Sequence, residues 1–286
     1  MKPISPLRPS PIAGSWYDSR PARLATEIDG YLDAAVLPAL DEDVIGVIAP
    51  HAGYRYSGAV AGYAFAAVRA RDFDLVAVLS PFHAFQRDAF LTSAHTAYAT
   101  PLGNIPVDRA AVDAVDAVLR AELGFGITPI ARDGEHALEI ELPFLQRALN
   151  GDFSLLPIMI RSVDAQELEV LGRVLAETLR GRNALIVAST DLSHFYTQDV
   201  AKKLDGEMLH QIEAFSPKGV LETEELHQGF ACGRGAVAAT LFAARALGAD
   251  NVKVVNYATS GDVTGDMSSV VGYGAAVVLK GQEGER

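Results

Sequence analysis

The sequence predicts a three-layer α/β/α sandwich around a mostly parallel mixed sheet. Short β-branched runs are apolar throughout, which is typical of strands that are covered on both faces. These runs alternate along the chain with stretches that repeat apolar residues at helical spacing. Because no internal repeat or low-complexity linker divides the 286 residues, we expect a single domain over 1–286.

The predicted strands are the runs richest in valine, isoleucine and leucine. In chain order they are Val44–Ala49, Leu75–Leu79, Leu155–Ile160, Ala184–Ala188, Val252–Tyr257 and Val270–Leu279. Only the segment SGDVTGDMSS separates the last two runs. We therefore expect them to be adjacent strands, antiparallel to each other.

The predicted helices lie between these strands. In chain order they are Ala59–Arg71, Arg109–Leu119, Ala137–Leu149, Ala165–Leu179, Lys202–Ala214 and Ala236–Leu247. Pro143 falls inside the third helix and is expected to kink it or to start a new turn. The first helix joins the first two strands, and such a unit is right-handed with parallel strands.

Composition excludes several classes of protein. The chain has 24 Lys and Arg against 36 Asp and Glu, a formal charge of −12, which disfavours nucleic acid as a partner. The single cysteine, Cys232, excludes an internal disulfide and a disulfide-stapled secreted scaffold. The N-terminal segment MKPISPLRPSPIAGSWY has no apolar core of a signal peptide, and no run approaches about 20 apolar residues. We therefore expect a cytoplasmic protein without a membrane span.

Histidines follow three of the predicted strands. His51 comes after the first strand, His83 after the second, and His194 follows Ala184–Ala188 together with Asp191. Ligands of such sheets bind outside the carboxyl ends of the strands, so these side chains are expected along one rim. His51 and His83 then form a plausible pair of metal ligands. The alternative for each histidine is a capping or ligand-orienting role.

Cys232 is the candidate for a third ligand. Gly233 and Gly235 follow it at the start of an alanine-rich helix. The helix dipole and Arg234 are expected to favour the thiolate, which is the form that binds metal. Two histidines and a cysteine would suit copper, zinc or Fe(II). The alternative for Cys232 is an inert, small apolar side chain.

Two further groups of residues carry weaker expectations. In EHALEIELP, the carboxylates of Glu135, Glu139 and Glu141 are expected to form a solvated helix face. Tyr54 and Tyr56 are expected to line the pocket as walls, not to act as acids.

Read together, these segments resemble the Memo family, protein B of the AmmeMemoRadiSam gene set. The resemblance runs through nearly the whole chain. The segments that carry it, in the family's order, are AGSWY, IAPHAGYRYSG, LSPFH, TPLG, EHALEIELPFL, STDLSHF, CGRG and NYATSGD.

The resemblance implies a LigB-like fold, because the Memo family is structurally similar to class III (LigB-like) extradiol dioxygenases. It implies His51 and His83 as metal ligands, with Cys232 where those enzymes have a glutamate. It places His194 at the position of their acid/base histidine and Asp191 on the metal rim. One departure is Ala84, where family members commonly have a second histidine.

Two hypotheses of function follow from this site. In the first, a metal activates oxygen or a small substrate in an oxidoreductase, and His194 moves a proton. Asp191 orients either His194 or a metal-bound water. Iron(II) or copper is favoured, and zinc would suit hydrolysis instead. In the second, the protein binds metal or a peptide without turnover, and partner proteins of the same gene set carry the chemistry.

Overall fold

The computed structural model describes residues 5–40 and 42–281. Its strands are β1 (Leu7–Arg8), β2 (Asp43–Ala49), β3 (Leu75–Pro81), β4 (Phe90–Ser93), β5 (Ala97–Thr100), β6 (Gly103–Pro106), β7 (Ile127–Ile130), β8 (Ser154–Ile160), β9 (Ala184–Ser189), β10 (His194–Tyr196), β11 (Asn251–Thr259) and β12 (Val270–Lys280). The first four and last five residues and Asp41 lie outside the described ranges.

The helices follow the same order along the chain. They are α1 (Pro21–Ala34), α2 (Tyr54–Ala66), α3 (Arg109–Leu123), α4 (Glu141–Ala148), α5 (Ala165–Leu179), α6 (Gln198–Glu213), α7 (Pro217–Glu225), α8 (Arg234–Ala246) and α9 (Ser260–Thr264). Within the described part of the chain, none of these helices combines the length and the apolar composition needed to cross a membrane.

The main sheet is mixed, with a parallel centre. Its strands lie in the order β10-β12-β2-β9-β3-β8-β4-β7, and β11 pairs with β12 outside this path. The central strands β2, β9, β3 and β8 are parallel, whereas β12 pairs antiparallel with β2 and β4 pairs antiparallel with β8. The predicted fold class is confirmed, as is the antiparallel pairing of β11 with β12.

Helices cover both faces of this sheet. Neighbouring side chains of β2 face different helices. Val47 belongs to the core on the side of α1 and α2, whereas Ile48 packs with residues of α6 and α8. Successive side chains of a strand point to opposite faces, so each strand contributes to both cores. This double covering explains why the strand sequences are apolar throughout instead of alternating.

Four helices, α2, α4, α6 and α8, begin at positions that differ from the predictions. Helix α2 begins at Tyr54, five residues before the predicted start, and the Tyr54 N–H donates to the Trp16 carbonyl 2.9 Å away. This tertiary partner satisfies a free N–H of the first turn, which propensity alone does not reveal. Helix α4 begins at Glu141, which places Pro143 in its first turn, where a missing N–H costs no helical bond.

Candidate metal centre

The candidate site lies at the carboxyl ends of three parallel strands. His51 follows the end of β2 by two residues, His83 follows β3, and Asp191 follows β9. These strands are neighbours in the order β2-β9-β3, so their carboxyl ends share one edge. The fold therefore brings these side chains together at the carboxyl ends of the parallel strands, where α/β proteins usually bind ligands.

Three histidines converge at this edge. One ligand nitrogen from each of His51, His83 and His136 lies within 4.8 Å of the others. The sequence predicted the first two and missed His136. The missed histidine comes six residues after β7, a strand of four residues that contains Pro129 and carries no strong strand signal. The available signal was the Glu135-His136 pair, two groups that commonly meet at metal sites.

His51 is buried and held from two sides. Its backbone N–H donates to Asp191 Oδ1 at 2.7 Å, and its Nδ1 lies 2.9 Å from Ser189 Oγ. Burial, and then the neighbouring His136 and His83, lower the pKa of His51 well below its ordinary value. A neutral imidazole has a free lone pair, which is the form that binds a metal.

Glu135 organises the other two histidines. Its carboxylate accepts from the His83 backbone N–H at 2.6 Å, and its Oε1 lies 2.9 Å from His83 Nδ1. The backbone N–H groups of His136 and Ala137 also donate to Oε1, at 2.8 and 2.9 Å. Burial opposes ionisation, but the hydrogen bonds and charge of His83 and these N–H groups lower the pKa of Glu135 to about 2. In return, the hydrogen bond to Glu135 raises the pKa of His83.

The expectation of a solvated carboxylate face is wrong. Glu135 is 5% exposed, and Glu139 and Glu141 are both fully buried. The helix starts only at Glu141, so Glu135 and Glu139 precede it and turn inward, Glu135 to the His83 backbone N–H and Glu139 to the Tyr17 hydroxyl. Helical spacing therefore does not apply to these residues.

The pairing of His83 with Glu135 makes a prediction for the metal-free protein. We expect Glu135→Gln to lower the pKa of His83 towards the ordinary 6.5, because the neutral amide removes the negative charge that strengthens the hydrogen bond and favours imidazolium. An NMR titration of the His83 ring protons measures this. Glu169→Gln on the exposed side of α5 is the matched control and should leave the titration unchanged. An unaltered His83 titration in Glu135→Gln would contradict the assignment.

Cys232 contacts this cluster through His51. Its Sγ lies 3.1 Å from His51 Nε2, although Cys232 is outside the group of three mutually close histidines. Burial, and then the Asp191 charge, raise the pKa of the Cys232 thiol, so the expected thiolate is not favoured before metal binds. Arg234 does not act on the thiol as expected, because its guanidinium pairs with Glu224.

Asp191 and His194 border the same site. Burial raises the pKa of Asp191 to about 7, although the backbone N–H groups of His51 and Ala52 oppose this. His194 begins β10, where it pairs with Val271 of β12. Burial lowers the pKa of His194, and the nearby His83 adds to this effect. Burial therefore shifts the pKa of both groups away from their ordinary values, as is common near functional sites.

A cavity of about 480 Å³ is lined by Ala52, which follows His51 in sequence, and by Trp16. Trp16 forms part of its wall, and the Trp16 ring centroid lies 4.1 Å from that of His136. Tyr56 also lines the cavity, whereas Tyr54 lies in the core and donates from its hydroxyl to the Ile140 carbonyl at 2.8 Å. Phe195 lines the opening with a φ of 66°, a left-handed conformation that is uncommon outside glycine and often found at binding sites.

The donor set fits a transition metal. Imidazole nitrogen and a nearby thiol are ligands for iron, copper and zinc, whereas magnesium and calcium prefer oxygen. Glu135 holds His83 by its Nδ1, as carboxylates commonly do for histidine ligands. The cluster as folded can therefore hold a metal ion without a large rearrangement of its imidazoles.

Comparisons with known proteins identify the family of this chain. A family profile described as "Memo-like protein" matches residues 8–277. A MEMO1 family protein of Methanosarcina mazei is 33% identical over 275 residues, covering 95% of this chain and 99% of that protein. MEMO1 family proteins of Methanococcoides burtonii and Archaeoglobus fulgidus are each 34% identical, covering 95% of this chain and at least 99% of theirs.

Among solved structures, an uncharacterized protein from Escherichia coli K12 is similar with a TM-score of 0.46 and 12% identity, covering 82% of this chain and 100% of that one. The residues that the family profile matches include the three histidines of the cluster and Cys232. The chain therefore belongs to the Memo family.

Proposed function

We propose that this protein binds one transition-metal ion through His51, His83 and Cys232, with His136 as a further donor. The convergence of three imidazole nitrogens within 4.8 Å carries the proposal. The contact of 3.1 Å between Cys232 Sγ and His51 Nε2 supports the thiol as a member of the set. Metal binding would then draw a proton from Cys232, because only the thiolate is a strong ligand.

The proposed metal is Fe(II) or copper, with zinc as the alternative. A set that mixes imidazole with one thiolate suits all three ions, so the protein ligands alone do not select one of them. The carboxylates of Glu135 and Asp191 orient His83 and the backbone of His51 in the metal-free protein.

The second candidate function is that of an oxidoreductase acting on a small substrate. The cavity of about 480 Å³ favours it, because its Trp16 wall touches His136 and its mouth is lined by Tyr56 and Phe195. A redox-active metal held by the histidines would supply oxygen or electron chemistry beside this cavity. His194 would move a proton there, and Asp191 would hold His51 through its backbone N–H.

Metal loading under anaerobic conditions tests the first proposal. We expect metal-free protein to take up about one ion of Fe(II), Cu(I) or Zn(II) per chain in elemental analysis, and to release protons on binding. Calorimetric titrations in two buffers of different ionisation enthalpy count those protons. The Cys232→Ser variant should release about one proton fewer. Absence of uptake in the wild type, or identical proton release in both proteins, would contradict the proposed ligand set.

An oxygen-uptake assay with a panel of catechols then separates the two candidate functions. The oxidoreductase requires uptake that depends on the metal and falls in His194→Ala. Metal-loaded protein without turnover would favour the non-enzymatic function, in which the protein binds metal and also peptides or partner proteins.

A further inference from the structure

A buried chain of polar side chains lies behind His51, on the side away from Cys232. Ser189 Oγ lies 2.9 Å from His51 Nδ1, 2.6 Å from the Ala137 carbonyl oxygen and 2.7 Å from Glu141 Oε1. Ser189 and Glu141 are both fully buried. Neither residue lines the cavity, so an effect on the site passes through the groups that they contact, which include the His51 side chain.

The three contacts of Ser189 determine where the protons lie. A serine hydroxyl donates once and accepts up to twice, whereas a carbonyl oxygen only accepts. Ser189 must therefore donate to the Ala137 carbonyl, since otherwise two lone pairs would face each other at 2.6 Å. The other two contacts must be donated to Ser189, one by the His51 Nδ1–H and the other by a protonated carboxyl group of Glu141.

The environment of Glu141 agrees independently with a neutral carboxyl group. Its Oε2 is buried and has no hydrogen-bond partner among the described residues. A carboxylate in that position would keep a charge out of water with a single hydrogen bond, which is far less favourable than burying the neutral acid. Burial raises the pKa of Glu141 well above its ordinary value, in the same direction.

We propose that Glu141 is a positioning residue: as a neutral acid it donates to Ser189, which keeps His51 in the Nδ1–H tautomer. The Nε2 lone pair then points away from the core, towards the thiol of Cys232 at 3.1 Å and the other histidines. An ionised Glu141 would instead accept the hydrogen bond from the Ser189 hydroxyl. The hydrogen bond from Ser189 to the Ala137 carbonyl would then be lost. The proton positions follow from the hydrogen bonds alone, whereas the consequence for metal affinity rests on the proposed function.

Two spectroscopic measurements on the metal-free protein test the proton positions. We expect the infrared spectrum at neutral pH to contain the carbonyl stretch of a neutral carboxylic acid, which Glu141→Gln removes and Glu169→Gln does not. We expect ¹⁵N NMR to show His51 protonated at Nδ1 and unprotonated at Nε2. A carboxylate band for Glu141, or the Nε2–H tautomer of His51, would overturn the proposal, whether or not the protein binds metal.

Metal affinity tests the positioning role with two variants of similar size. Glu141→Gln retains an N–H donor for Ser189, whereas Glu141→Met does not. We expect Glu141→Met to lower metal affinity about 10–100-fold and Glu141→Gln to remain close to the wild type, as for other residues that orient a ligand. Equal affinities of the two variants would overturn the role. If Glu141→Met does not fold, the wild-type and Glu141→Gln spectra decide.

Discussion

We expect His51→Ala to reduce metal affinity by more than about 100-fold, because changes to residues that only orient a ligand already cost about 10–100-fold. His51 is common to both parts of the donor set: it belongs to the group of three histidines, and its Nε2 contacts the Cys232 thiol. Its removal therefore weakens the site whichever donor completes it. Competition with a chelator of known affinity, under anaerobic conditions, measures the loss.

His210→Ala is the matched control, because His210 is an exposed histidine on α6 outside the cluster. It should bind metal as the wild type does. Metal affinity that is equal in His51→Ala and His210→Ala would mean that the histidines do not hold the ion. Thermal unfolding of metal-free His51→Ala is a further check, since an effect on metal binding alone leaves the metal-free protein nearly as stable as before.

The third ligand is assigned by comparing Cys232→Ser with His136→Ala. We expect Cys232→Ser to lose more affinity, because a thiolate adds charge to the site whereas His136 is one of three imidazoles. His136 also packs against Trp16 and lies near Glu135, which gives it a role at the cavity wall. A larger loss in His136→Ala would instead assign three histidines as the ligands.

The second large effect is expected for Arg8→Met, which should destabilise the fold by about 3–5 kcal/mol. The Arg8 guanidinium is buried and pairs with Asp133 and Glu139, and its Nη2 donates to the Glu135 carbonyl at 2.7 Å. Asp133 Oδ2 already lacks a hydrogen-bond partner among the described residues. Removal of the cation therefore leaves two buried carboxylates with too few donors, which is the costly way to break such a network. Urea unfolding followed by circular dichroism measures the change.

An ion pair near the surface is the control for the buried network of Arg8. The pair of Arg147 with Asp29 is partly exposed, so Arg147→Met should cost less than about 1 kcal/mol. A loss in Arg8→Met that is no larger than the loss in Arg147→Met would contradict the explanation by buried, unpaired carboxylates.

The consequence for the site is direct, because Arg8 holds the segment that carries Glu135 and His136. The N-terminal residues reach this segment from far away in sequence, with Tyr17 donating to Glu139 Oε1 at 2.7 Å and Trp16 lying against His136. One side of the candidate centre is therefore built on the N-terminal segment. No local pattern in the sequence indicates these contacts.

The sequence by itself determined the layered fold, the long strands and the edge of the sheet at which His51, His83 and Asp191 lie. Apolar runs and helical periodicity depend on burial of whole faces, so they can be read without knowing which elements touch. The same logic located His51, His83 and Asp191, because each follows a strongly apolar strand in the central sheet.

Only the tertiary structure decided which other side chains join them. His136 follows a short strand that contains proline, and the buried Glu139 of its segment has partners more than one hundred residues away. The structure also moved Tyr54 into the core and paired Arg234 with Glu224 instead of leaving it to act on Cys232. Hydrogen bonds and ion pairs between distant segments depend on where the chain meets itself, and a local sequence pattern does not record that meeting.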